Sequence, residues 1–135
     1  MKPHLAIAAL AALAFAAPAA SQTSGQHIIA IYHVAPGHHV EFLKWADRQD
    51  RISASAGVPR GQLYAHMDGD SWDYLIVNPM TTPAQDAAIE AAARKMGVNV
   101  LRGGVEMRQH ITSHTDTIVR GPMSAADYLA MLGEK

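Results

Sequence analysis

The 135-residue chain contains no cysteine, which excludes disulfides, thiolate metal ligands and a lipoprotein anchor. Its stability must therefore come from the burial of apolar surface alone. Lys and Arg number 11 against 12 Asp and Glu, and the positive charges are scattered along the chain. Without a basic stripe, the sequence predicts no nucleic acid among its partners.

Long apolar runs are also missing, apart from one at the N-terminus. Lys2 precedes an apolar stretch over 5–17, and small residues follow around Pro18. This is the pattern of a secretory signal, because the stretch is too short and too rich in alanine for a membrane anchor. Residues 19–21 allow three cleavage positions, and we favour cleavage after Ala20. The mature protein is then expected to be periplasmic or secreted, with no membrane association.

The mature chain is long enough for one domain, which we place at 27–135 after a flexible polar leader at 21–26. Residues 27–34 are apolar on both faces, which indicates an interior strand. The hydrophobic period then changes to that of an amphipathic helix, which begins near His38 and ends near Gly57.

The second half repeats this strand and helix pattern. Two strand-like runs at 61–67 and 71–78 are separated by a three-residue turn, which predicts an antiparallel hairpin. Thr82, followed by Pro83 and Gln85, forms the sequence of a capping box that opens a second helix.

The C-terminal third is less regular. Residues 98–112 predict a short or broken helix, because a pair of glycines interrupts the helical pattern. Residues 114–120 have the β-branched density of a last strand. Ser124 then caps a final short helix, which we expect against the core or a second subunit.

This order of elements predicts an α+β fold, a ferredoxin-like β-α-β-β-α-β sandwich with an antiparallel sheet and both main helices on one sheet face. Apolar and aromatic residues also occur on the opposite face. A second copy of the chain is the simplest cover for that face, so the sequence predicts a homodimer.

Three stretches resemble the dimeric α+β barrel superfamily, in particular the antibiotic-biosynthesis monooxygenase-like and stress-responsive barrel proteins. They are IYHVAPGHHVEFLKW at 31–45, LYAHMDGDSWDYLIVNP at 63–79 and TTP at 81–83. The resemblance covers nearly the whole mature chain. The segment HTDTIVRGP at 114–122 resembles the end of exported bacterial members of unassigned function.

The resemblance implies several activities and selects none of them. Members of the superfamily include cofactor-free oxygenases, haem-handling proteins and isomerases. The sequence therefore suggests a small-ligand-binding protein that is either an enzyme of monooxygenase or isomerase type, or no enzyme. No organic cofactor is expected.

The segment RQHITSHTDT at 108–117 contains the candidate catalytic residues. In a strand, His114 and Asp116 lie on one face, and Asp116 can orient the histidine as a general base. We add His66 to this catalytic set. This hypothesis requires Asp116 to point away from the helices. A metal site made by His110, His114 and Asp116 lacks any strong motif, and we predict no metal there.

Four further residues are candidates for ligand binding: His33, Tyr64, Trp72 and Tyr74. We expect them to converge with the catalytic set around a small apolar or aromatic molecule. The ligand is placed either between sheet and helices or on the sheet face turned away from the helices. The alternative is that these aromatic residues only pack in the core or at a subunit interface.

Two other classes of function stay open. One is a periplasmic metal- or haem-binding protein that uses histidines, and the other is an interaction module without a pocket. His38 and His39, at the start of the first helix, are expected to be exposed and uncharged, or to form an adventitious metal pair.

Overall fold

The computed structural model describes residues 25–134, so the predicted signal sequence lies outside the described residues. Eight elements follow one another: β1 (Gly25–Val34), α1 (His39–Ser55), β2 (Gln62–Ala65), β3 (Tyr74–Pro79), α2 (Pro83–Lys95), α3 (Val100–Arg108), β4 (Ile111–Gly121) and α4 (Ala125–Met131). The polar leader was expected to reach residue 26. The structure instead includes Gly25 and Gln26 in β1, where they pair with Gly121 and Arg120 of β4.

The four strands form one antiparallel sheet in the order β2-β3-β1-β4. β1 has a neighbour on both sides, which confirms that it is an interior strand. β2 and β3 pair as the predicted hairpin, but the connection runs from residue 66 to 73 because the β2 strand already ends at Ala65. A main-chain hydrogen bond from His66 N to Asp73 O holds the base of this connection.

Local sequence signals explain where the helices begin and end. The Thr82 hydroxyl accepts a hydrogen bond from Gln85 N, and the Gln85 side chain accepts one from Thr82 N, so the predicted capping box is present. The α1 helix is followed by Gly57, whose φ of +72° suits a residue without a β-carbon. α4 has the same kind of capping box, formed by Ser124 and Asp127.

Of the two alternatives predicted for residues 98–112, the short helix is present, since α3 spans nine residues and runs without interruption across Gly103 and Gly104. Two contacts stabilise this helix. The Trp45 indole N–H donates to the Gly103 carbonyl at 3.2 Å, and Met107 is buried in the main core. The glycines cost helix propensity, and close packing does not explain them, because a β-carbon at Gly103 would meet no atom within 4 Å.

The core lies between the sheet and the helices. Phe42 of α1 is completely buried against Tyr32 of β1 and Tyr74 of β3. A second cluster joins Ile52 of α1 to Ala93 of α2. The β-α-β-β-α-β order, the antiparallel sheet and this packing confirm the ferredoxin-like α+β fold, to which α3 and α4 are additions.

Candidate functional site

The register of β4 on β1 decides which way His114 and Asp116 point. His114 lies opposite Tyr32, and Asp116 lies opposite Ala30. Residues directly opposite in an antiparallel pair project from the same sheet face. Because Tyr32 and Ala30 are buried in the core beneath the helices, His114 and Asp116 belong to the helix-covered face. The condition for the catalytic hypothesis is therefore not met.

His114 and Asp116 do approach each other, as their shared face predicted. His114 Nε2 lies 3.6 Å from Asp116 Oδ2, which is longer than a well-formed hydrogen bond. The Asp116 side chain is 53% exposed, so solvent screens the pair. The His114 ring also stacks on the Tyr32 ring, with centroids 5.8 Å apart and planes inclined by 13°. The arrangement suits packing better than proton transfer.

Tyr32, which lies beside His114 and Asp116, has a strongly shifted pKa. Burial, followed by the negative charge of Asp116, raises its pKa to about 12. The phenol therefore stays protonated at neutral pH. Tyr32 serves as an apolar platform between Phe42 and His114 rather than as a base.

Replacing Tyr32 by Phe should make the protein more resistant to alkaline unfolding. A tyrosine with a raised folded pKa contributes stability that is present below its unfolded pKa and is lost as pH rises from about 10 to about 12. The two-unit shift corresponds to about 2–3 kcal/mol. Denaturant unfolding measured from pH 9 to pH 12 should show that Tyr32→Phe loses less stability than the wild type, with a difference that grows with pH and approaches this amount at the upper end.

Tyr64→Phe removes an exposed phenol and is the control substitution, which should not reproduce the effect of Tyr32→Phe. Ultraviolet titration should also show a late-ionising phenol that disappears in Tyr32→Phe. Equal slopes for wild type and Tyr32→Phe would contradict the buried, protonated phenol.

The other predicted site residues do not converge with His114 and Asp116, and this expectation was wrong. Tyr74 lies opposite Tyr32 on the helix-covered face, where it stacks on Phe42. Tyr64 and His33 project from the other face, because they alternate with residues of the core face along their strands. Because side chains alternate between the two faces along a strand, these predicted site residues lie on opposite faces of the sheet.

His66 and Trp72 form a third group, at the hairpin connection. Their rings are tilted with centroids 4.9 Å apart, and His66 Nε2 is buried without a hydrogen-bond partner among the described residues. The His33 Nδ1 atom lies 3.1 Å from the Ser71 carbonyl, which links β1 to the same connection. These contacts order the hairpin and place no pair of groups for catalysis.

A groove of about 910 Å³ lies on the open face of the sheet, which is the face turned away from α1 and α2. Ile29, Val77 and Val119 supply apolar surface, and Tyr64 lines it from β2. Arg60 and Arg120 are the charged groups of its lining, and His27 also contributes. Of the predicted ligand-binding residues, only Tyr64 lines this groove. The sheet face turned away from the helices was one of the two positions expected for a ligand, because apolar residues occur on both faces of β1, but the lining residues other than Tyr64 were not among those predicted.

The expected cavity between sheet and helices is replaced by close packing. Phe42 and Ile52 are the largest fully buried side chains, and Tyr32 fills the space beside them. A second cavity, of about 490 Å³, lies instead between α1, α3 and the loop before α3. Its lining is polar, and an ion pair of 2.5 Å between Arg48 and Glu106 crosses it. Neither cavity is lined by His114 or Asp116.

The described residues contain no group of three or more His, Asp or Glu side chains close enough to share a metal ion. His110, His114 and Asp116 therefore do not form a three-ligand site. Instead, the His110 ring faces His38, with their Nδ1 atoms 3.2 Å apart. Within 25–134, no helix has the length and hydropathy needed to cross a membrane.

α4 stands apart from the rest of the domain. Its residues are exposed throughout, including the large apolar side chains of Tyr128, Leu129 and Met131, and Leu132 directly after the helix is exposed as well. In a single chain, α4 does not lie against the core, which leaves the alternative of a contact with a second subunit.

Comparison with known proteins gives a likeness of fold. No family model and no curated protein sequence matches the chain. A solved variant of SnoaB, a cofactor-independent oxygenase from Streptomyces nogalater, is 16% identical with a TM-score of 0.51, covering 76% of this chain and 97% of SnoaB. Protein Atu4242 from Agrobacterium tumefaciens is 14% identical with a TM-score of 0.50, covering 74% and 95% respectively. At such identities the likeness shows the fold alone, and it agrees with the ferredoxin-like α+β arrangement of the sheet and helices described above.

Proposed function

We propose that the protein is an exported homodimer that binds a small apolar or aromatic molecule in the groove on the open sheet face. The observation that carries this proposal is the groove itself, which combines a volume of about 910 Å³ with an apolar lining from three strands. Ligand pockets in proteins are of this size and are mostly apolar with a few polar groups. Export rests on the N-terminal sequence pattern.

The open sheet face supports the homodimer. Ile31 lies opposite Leu75, and Ile29 lies opposite Val77, so four aliphatic side chains form two adjacent rows at the centre of this face. Each is partly exposed in a single chain, although it belongs to an interior strand. Contiguous apolar surface of this kind indicates an interaction site, and a face that pairs with itself forms a closed dimer.

The position of the groove connects dimerisation with binding. The groove contains Ile29 and Val77 from the apolar rows, and it extends to the end of β4 at Val119 and Met123. Its lining comes from strands and loops, with no residue of the helices. A second copy packed over the rows would close one side of the groove and would exclude water from the ligand.

The charged residues of the groove indicate which chemical group the ligand carries. Arg60 and Arg120 have no carboxylate partner among the ion pairs of the described residues, and both lie beside apolar surface. Guanidinium groups bind carboxylates, sulfonates and phosphates through paired hydrogen bonds. We therefore propose an aromatic or apolar molecule with one anionic group.

Binding is the activity that the groove supports, because His114 and Asp116 lie on the opposite side of the sheet. An oxygenase reaction, which is the activity named for SnoaB, would require reactive groups or a reactive substrate within the groove. No residue pair of the groove has the geometry of a general base and its orienting carboxylate. The function proposed here is thus retention of a small anionic ligand.

Fluorescence titration with anilinonaphthalene sulfonate tests the groove, since this dye is aromatic and anionic. Tyr64→Ala should weaken dye binding about tenfold, which is about 1.4 kcal/mol, because it removes an aromatic wall of the groove. Tyr128→Ala on α4 is a matched control, as Tyr64 and Tyr128 are both 52% exposed. Unchanged affinity in Tyr64→Ala, or an equal loss in Tyr128→Ala, would overturn the assignment of the groove.

A further inference from the structure

His38 and His110 meet at the end of the core where α1 begins and α3 ends. His38 immediately precedes α1, and His110 lies between α3 and β4. Their Nδ1 atoms are 3.2 Å apart, although 72 residues separate them in the chain. His39, which the sequence suggested as the partner of His38 in a metal pair, instead has its Nδ1 atom 3.3 Å from the Tyr74 hydroxyl. The pair that forms is therefore one that sequence spacing did not suggest.

Main-chain hydrogen bonds fix both histidines in place. Ala35 N donates to His110 O at 2.9 Å, and His38 N donates to Ala35 O at 3.0 Å, so the two segments are joined through one residue. His38 O in turn accepts a hydrogen bond from Phe42 N in the first turn of α1, and the Phe42 side chain is fully buried. The positions of both Cα atoms are thus set by the fold before any ligand binds, which lowers the entropy cost of binding.

We propose that His38 and His110 form a bidentate site for a divalent late transition metal such as Zn²⁺ or Cu²⁺. Imidazole nitrogens bind these ions at about 2.0–2.1 Å, and two such bonds spanning 3.2 Å meet at an angle of about 100° at the metal. That angle lies between those of tetrahedral and octahedral sites. This site is separate from the groove and does not depend on the proposed ligand binding.

Both rings must turn slightly to admit the ion. Their centroids are 5.5 Å apart and their planes are inclined by 39°, so the two nitrogens now point towards each other as in a hydrogen bond. His38 is exposed and His110 is partly exposed, which leaves the rings room to rotate about the Cβ–Cγ bond. The helix dipoles have opposing effects at this position, because the N-terminus of α1 disfavours a bound cation and the C-terminus of α3 favours one.

Two protein ligands leave the remaining coordination positions open, since the described residues supply no third side chain. Water or a small solute would fill these positions. An open site of this kind binds less tightly than a structural zinc site with four protein ligands, and its ion exchanges with the surroundings. We therefore expect reversible binding of one ion per chain.

Calorimetric titration of the untagged protein with Zn²⁺ tests this inference. His38→Ala and His110→Ala should each weaken binding by at least about tenfold, because each removes one of two ligands. The double variant should lose the site, and its loss of binding free energy should be smaller than the sum of the two single losses, because a single variant has already lost chelation. His27→Ala, a histidine of the groove, is the control and should bind one ion like the wild type.

Nitrogen NMR of the imidazole rings identifies the ligands directly. Added Zn²⁺ should shift the Nδ1 resonances of His38 and His110 together and saturate at one ion per chain. The inference is overturned if binding does not saturate, if other histidines shift instead, or if the two single variants bind Zn²⁺ as the wild type does. The last result would leave the pair as an ordinary hydrogen bond between two rings.

Discussion

Val77→Asp should separate the proposed homodimer into monomers. Val77 lies on β3 in the centre of the open sheet face, between Gln62 of β2 and Ile29 of β1. A carboxylate there would be buried against the apolar rows of the second copy, and an unpaired buried charge is strongly unfavourable. We expect the dissociation constant of the dimer to rise at least about a hundredfold, which is about 2.7 kcal/mol. Light scattering over a dilution series measures this change.

Val40→Asp is the matched control for this substitution. Val40 is 57% exposed in the first turn of α1, where an added negative charge suits the helix dipole. It should leave the dimer intact. Thermal unfolding of both variants separates loss of the dimer from loss of the fold. A Val77→Asp variant that remains dimeric would place the subunit interface on some other surface.

Phe42→Ala should cost about 3–5 kcal/mol of the free energy of unfolding. The Phe42 ring is completely buried, and its centroid lies 4.9 Å from that of Tyr32 and 5.3 Å from that of Tyr74. Truncation would leave a cavity where α1 meets the two central strands. Such a loss is a large share of the stability expected for a domain of this size. Urea denaturation at equilibrium measures it.

Leu43→Ala, one residue further along α1, is the corresponding control. Leu43 is 37% exposed, so its truncation should cost less than about 1.5 kcal/mol. If both variants lost the same stability, the packing of α1 through Phe42 would be wrong. The same outcome would undermine the explanation of why no ligand cavity lies between sheet and helices.

The architecture was predictable because local patterns and the fold agree at most elements. The capping box at Thr82 and the doubly apolar strand β1 depend on neighbouring residues alone. The start of β4 at Ile111 was not predictable from local pattern. It depends on the pairing of Ile111 with Val34, which follows a shift of register after His33.

The candidate site was harder to predict than the fold, because it depends on strand register. Alternation along β4 correctly placed His114 and Asp116 on the same face of the sheet, but it did not predict which of the two faces this is. That choice is set by the partners Tyr32 and Ala30 on β1. The contact of His38 with His110 depends on tertiary structure in the same way, because the spacing of the two residues in the sequence does not predict it.

Native mass spectrometry of the protein from the cell's exported fraction tests the central claim most directly. One spectrum reports the processed N-terminus, the number of subunits and any retained molecule. Our account predicts a dimer that carries a small anionic organic molecule, which is lost in Tyr64→Ala and kept in Tyr128→Ala. An unprocessed or monomeric protein without a ligand would contradict the proposed exported, ligand-binding homodimer.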